Sequence, residues 1–104
     1  MSPDEVLNHE ELELNLRRLP GWRHEDDSLR TRLSFPTAAE AIDLFARIAE
    51  LAQQANHHPD VDWRYDTLHI ALTSHDAGSK VTARDVALAQ QIQLAAEAAG
   101  AGIG

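Results

Sequence analysis

The chain has 104 residues, 43% hydrophobic and 25% charged, with no cysteine and a formal net charge of −8. That balance suits a globular domain and excludes disulfides and cysteine-ligated metal. It argues against direct nucleic-acid binding, because the nine Lys and Arg residues are scattered along the chain and phosphate contacts need clustered cations. No apolar run approaches the ~20 residues needed to span a bilayer, so no membrane association is expected. The opening MSPDEVLNHEELELN is acidic and lacks the basic and apolar regions of a signal peptide. The expectation is a single domain over residues 1–104 in the cytoplasm, with frayed ends at 1–7 and 98–104.

In chain order, Asn8 and Glu11 have the spacing of a capping box, with Leu7 and Leu12 placed as a hydrophobic staple. Leu12, Leu16 and Leu19 continue at helical spacing until Pro20-Gly21 ends the element. Trp22 to Glu25 reads as a short strand, and Asp26-Asp27-Ser28 as a turn. Leu29, Thr31, Leu33 and Phe35 then alternate with Arg30, Arg32 and Ser34, the pattern of a half-buried strand. Pro36-Thr37 opens the strongest helix, whose stripe is Ala41, Phe45, Ile48, Ala52 and Ala55, widened by Ile42, Leu44 and Leu51. Asn56 is its expected C-cap, and Pro59 prevents continuation.

Val61, Trp63 and Tyr65 alternate with polar residues, a turn falls at Asp66-Thr67, and Leu68, Ile70 and Leu72 form the second arm of a hairpin. Ser74 to Lys80 is a polar loop. Thr82 caps the last helix, with Asp85 at its third position and Leu88, Ile92, Ala95 and Ala99 as its buried stripe. The order helix, two strands, helix, two strands, helix predicts an α+β fold, a four-stranded antiparallel sheet with helices packed on one face.

Four of the six histidines lie between positions 57 and 75. Histidine suits proton transfer near neutrality. His57 and His58 follow a helix C-terminus, whose dipole favours the protonated ring, and Pro59 pushes His58 into an extended conformation. His75 sits in the loop before the last helix. Asp85 shares a helical face with Leu88 and Ile92, so it points inward and could orient a histidine or bind a substrate N–H. Each reading has a rival. Asp85 could serve only to cap its own helix. His57, His58 and His75 could bind zinc, although adjacent histidines rarely converge on one ion. His69 reads as structural, His9 and His24 as exposed. Trp63 and Tyr65 read as core more readily than as a ligand platform.

A further pattern joins these residues: His57-His58-Pro59, Tyr65 after five intervening residues, His75 after nine more, and Asp85 after another nine. With Pro20-Gly21-Trp22, Leu68 to Leu72 and Val81 to Asp85, it resembles the signature of the pterin-4a-carbinolamine dehydratases, over about Leu12 to Gln93. Members of that family in animals also serve as dimerisation cofactors of a homeodomain transcription factor. The resemblance implies removal of water from 4a-hydroxytetrahydrobiopterin, giving quinonoid dihydropterin and recycling the cofactor of aromatic amino acid hydroxylases. It implies His57, His58 and His75 as catalytic residues, no metal or organic cofactor, and a homodimer or homotetramer. Asp85, Gln53 and Pro59 would bind or orient the substrate. One position departs from the pattern: four residues before the first motif histidine the family usually carries a charged or protonatable side chain, often Glu, where this chain has Gln53. Gln53 can hydrogen-bond a ring nitrogen but holds no charge. Two alternatives accompany the resemblance, a non-catalytic interaction module of the same fold and a dehydratase of a different pterin.

Overall fold

The computed structural model describes residues 5–104; the expectation of fraying at residues 1–4 lies outside that range. The elements are α1 (His9–Leu16), β1 (Arg23–Glu25), β2 (Ser28–Ser34), α2 (Ala38–Ala55), β3 (Asp60–Arg64), β4 (Thr67–Leu72), a 3-10 turn (His75–Ala77), α3 (Ala83–Ala98) and β5 (Gly102–Ile103). The α+β class is as the sequence predicts, but the sheet has five strands rather than four. Its order is β1-β2-β4-β3, all antiparallel, with β5 also pairing with β2. The added strand lies in the 98–104 tail, where fraying was the expectation. Leu33 pairs with Ile103, Ser34 with Gly102, and the Gly104 N–H donates to the Arg32 carbonyl at 2.8 Å. At the other end, Leu7 is buried and its N–H donates to the Val81 carbonyl.

Capping follows the local sequence. Asn8 and Glu11 form the expected capping box, and Leu7 and Leu12 are both buried. Leu16 ends α1 earlier than the leucine spacing suggests, and Leu19 reaches the core from the following turn. Asp26 and Asp27 both take positive φ, 52° and 56°, between β1 and β2. That pair suits the two-residue hairpin turn whose twist matches its strands. Gly21 has φ +89°, and a Cβ there would stand 2.6 Å from the Ile103 carbonyl oxygen. Only glycine lets the strap after α1 pass so close to β5.

Alternation places Leu29, Thr31 and Leu33 of β2 and Leu68, Ile70 and Leu72 of β4 on the covered face, all buried. Helices α2 and α3 pack over them. The buried line of α2 lies within the expected stripe and its widening, on the Leu44 and Leu51 side, whereas that of α3 is rotated from the expected one. In α2 the buried line is Ala41, Leu44, Ile48, Leu51 and Ala52; Ala55 is exposed and Ile42 is 45% exposed. In α3, Val86, Leu88, Ala89, Ile92 and Ala96 are buried, whereas Ala95 is half-buried and Ala99 exposed. Gln93 is also buried, because its Oε1 accepts from the Trp22 indole N–H at 2.9 Å. The polar partner lets an indole enter the core without an orphaned donor.

The third strand departs most from expectation. Trp63 and Tyr65 are 48% and 76% exposed, so neither is core. β3 is an edge strand, and none of its residues is fully buried. Tyr65 is outside the strand: it has φ 53° and forms the β3–β4 turn with Asp66, while Thr67 already belongs to β4.

Candidate active site

The site grows from two chain junctions that the fold brings together. The first is the C-terminal end of α2. Asn56 adopts a left-handed conformation (φ 49°, ψ 42°), and the His57 N–H turns back to the Ala52 carbonyl at 3.1 Å. This reversal closes the helix and sends the His57 side chain inward, where the residue is 9% exposed, while His58 stays exposed. Pro59 then starts the run into β3.

The second junction is the N-terminal end of α3, where Thr82 and Asp85 form a capping box. Asp85 is fully buried, and each carboxylate oxygen has its own donors. Oδ2 accepts from the Thr82 N–H at 2.9 Å and from the Ser74 hydroxyl at 2.8 Å. Oδ1 accepts from His57 Nε2 at 2.5 Å. The two rival readings of Asp85 are therefore both realised, one on each oxygen. A buried carboxylate without donors would be strongly disfavoured; here three donors satisfy it. Because a carboxylate only accepts, the His57 Nε2 must carry the proton, which in the neutral ring leaves Nδ1 with the lone pair. A histidine backed by a carboxylate in this way is held in one tautomer and orientation, a standard arrangement for proton transfer.

His58 is paired differently. Its Nε2 lies 2.5 Å from Gln53 Oε1, one turn back along α2. Gln53, His58 and Pro59 line a hollow of about 220 Å³ with Phe45, Ala49 and Val61. His57 and His75 do not line it. His75 opens the 3-10 turn, is exposed, and has Ser79 Oγ 3.4 Å from its Nδ1, too long for a strong bond. The next residue, Asp76, takes both guanidinium nitrogens of Arg84, at 2.6 and 3.0 Å. The Arg84 hydrogen bonds hold the Asp76 carboxyl below the usual carboxylate range, and the nearby His57 acts in the same direction. The turn bearing His75 is thus tied to the start of α3, beside Asp85.

Among the described residues, no three His, Asp or Glu side chains are grouped to hold a metal ion. His9 and His24 are exposed, as expected, and His69 is half-buried on the open face of the sheet. Sequence reasoning missed Ser74, which is fully buried against Asp85 and Thr82. Its only signal was its place immediately before His75.

Comparison with known proteins gives the family. The family model described as pterin 4 alpha carbinolamine dehydratase matches residues 5–95. A protein of Mycolicibacterium smegmatis named "putative pterin-4-alpha-carbinolamine dehydratase" is 40% identical over 87 residues, covering 84% of this chain and 92% of its own. One of the same name from Thermomicrobium roseum is 43% identical over 77 residues, 74% of this chain and 82% of its own. Among solved structures, a transcriptional coactivator/pterin dehydratase from Brucella melitensis superposes with a TM-score of 0.84 at 26% identity, over 88% of this chain and 99% of that one. A pterin dehydratase-like protein described as a RuBisCO assembly factor in the alpha-carboxysome shares the fold at a TM-score of 0.62 and 20% identity, over 73% of this chain and 89% of its own. By the extent of these matches, and with the motif histidines and Asp85 in place, the chain belongs to the pterin-4a-carbinolamine dehydratase family.

Proposed function

We propose that this protein dehydrates 4a-hydroxytetrahydrobiopterin by histidine acid/base catalysis. In that reaction the C4a–O bond breaks and the hydroxyl leaves as water after gaining a proton. The N5–H proton is lost and its electron pair forms the C4a=N5 bond of the quinonoid dihydropterin. The chemistry asks for one group to give a proton and another to take one, and a positioned side chain contributes about 10²–10⁴-fold to such a step. His57 and His75 handle these protons, and His58 holds the pterin with Gln53 and Pro59 around it. Asp85 orients His57. No cofactor takes part.

The observation that carries this reading is the buried His57–Asp85 pair, 2.5 Å apart, in a chain of this family. The hollow beside His58 supports it, being largely apolar with Gln53 and His58 among its lining residues. The protein acts in the cytoplasm as a single domain that assembles into a homodimer or homotetramer; among the described residues, no helix is long and apolar enough to cross a membrane. A second reading, an interaction module without catalysis, draws support from Trp63 and Tyr65, two large aromatic side chains left in solvent at the end of β3.

The test is the dehydration rate of freshly generated 4a-hydroxytetrahydropterin, followed by absorbance with and without chelator-treated protein. Acceleration that survives chelation and is lost in His58→Ala and His75→Ala supports the dehydratase. No acceleration by folded protein rejects it in favour of the interaction module or a different pterin.

A further inference from the structure

Asp85 is held by a directed chain of hydrogen bonds that begins outside the motif. The Ser74 hydroxyl lies 2.8 Å from Asp85 Oδ2 and 2.8 Å from Thr82 Oγ1. A carboxylate cannot donate, so the Ser74 proton points to Asp85. The Thr82 hydroxyl must then donate to Ser74, while Thr82 Oγ1 accepts the Arg84 N–H at 3.2 Å. Every link has one polarity. The chain runs from the Arg84 amide through Thr82 and Ser74 to Oδ2, and the other carboxylate oxygen receives His57. Ser74, Thr82 and Asp85 are each fully buried, so no water competes for these bonds.

The same serine organises the loop that carries His75. Its N–H donates to the Lys80 carbonyl at 3.0 Å, and its carbonyl accepts from the Ala77 and Ser79 amides, both at 3.0 Å. One residue therefore closes the turn with its backbone and braces the His57 partner with its side chain. Thr82→Ala would remove the helix cap as well, and Asp85 carries three donors at once; Ser74 is the point where the turn and the carboxylate meet.

We infer that Ser74 is a positioning residue for the acid/base pair: it fixes the rotation of the Asp85 carboxylate so that Oδ1 faces His57, and it sets the His75 turn against that pair. The inference rests on the dehydratase reading for its kinetic consequence, and on geometry alone for its effect on His57. Loss of the hydroxyl leaves Oδ2 with the Thr82 amide only, freeing the carboxylate to swing. A small displacement of an acid/base group is enough to lower turnover by roughly tenfold or more.

The experiment uses Ser74→Ala, His57→Gln and the double variant of the full chain. Steady-state kinetics of pterin dehydration are combined with NMR of the His57 ring N–H. Ser74→Ala is expected to lower kcat roughly tenfold with KM nearly unchanged, and to shift the His57 ring N–H resonance. Added to His57→Gln it should lower kcat no further, because residues acting through one another are not additive. A role confined to stability predicts a lower Tm with kcat and the His57 resonance unchanged in folded protein, and that result overturns the inference. If Ser74→Ala does not fold, Ser74→Cys, close in volume and a weak donor, takes its place with the same two readings. If the wild-type protein does not accelerate dehydration, the dehydratase reading falls, and the His57 resonance alone decides whether Ser74 positions the pair.

Discussion

His57 and His58 are neighbours in the chain, and each has a ring nitrogen 2.5 Å from an oxygen, yet the two bonds are not equivalent. His57 is 9% exposed and faces a fully buried carboxylate that two further donors hold in place. His58 is exposed and faces the neutral amide of Gln53, also exposed, on a flexible side chain. Water can replace Gln53 at His58 but not Asp85 at His57. Equal distances thus describe a fixed element and an exchangeable one. In the proposed reaction the first would hold a proton-transfer group still and the second would let the substrate in.

This contrast can be broken from the buried side first. Asp85→Ala leaves the His57, Ser74 and Thr82 donors unsatisfied in the interior and removes half of a capping box. It is expected to destabilise by roughly 2–4 kcal/mol and to abolish measurable dehydration, checked by chemical denaturation and the absorbance assay. His57→Ala should cut kcat by about 10²–10⁴-fold, with a smaller loss of stability for the carboxylate it strands. His58→Ala should leave stability within about 0.5 kcal/mol, as for other surface positions, while dehydration is strongly reduced. Equal stability losses for His57→Ala and His58→Ala would show that burial does not distinguish the pair.

Gln53→Glu sharpens the comparison by giving the exposed histidine a charged partner. A carboxylate there favours protonated His58, so the variant's kcat/KM profile should extend further to the alkaline side while its Tm barely moves. The smallest effect is expected at Asp76→Asn. The Arg84 hydrogen bonds lower the Asp76 carboxyl in the folded state, so this tie stabilises above the usual carboxylate range and is lost as pH falls through it. Both groups being partly or largely in solvent, the expected change is a slight flattening of Tm against pH on the acid side, read by thermal melts.

What could be read without the structure was whatever is decided within one helical turn or one hairpin. The Asn8–Glu11 and Thr82–Asp85 boxes and the left-handed Asn56 are local devices, and each forms as its spacing suggests. His57 and Asp85, 28 residues apart, stand out by residue type and placement as well as by resemblance, and they meet in the fold. Illegible features depend on what lies across space. The face of α3 rotates toward Val86, Ala89 and Ala96 and away from Ala99, because the layer it meets is set by elements whose placement local periodicity does not encode. Trp63 has strand-core character by type, but at the sheet edge there is no layer to cover it. Ser74 offers no signal beyond its place before His75, since a serine in a polar loop looks the same whether it meets water or a buried carboxylate.

One edge of β2 is covered by two unlike partners, and this sets an order of assembly. Arg30 meets Arg23, seven residues away, through a tight turn, whereas Leu33 meets Ile103, seventy residues away. By loop-closure entropy the tenfold longer separation disfavours the second contact by roughly 2 kcal/mol more than the first. The β1 half of that edge can zip as soon as the hairpin forms, while the β5 half waits until α2, β3, β4 and α3 are in place. Read in reverse, Gly102 to Gly104 form the latch that should lift first. Their amides should exchange with deuterium well before those shared by β2 and β4.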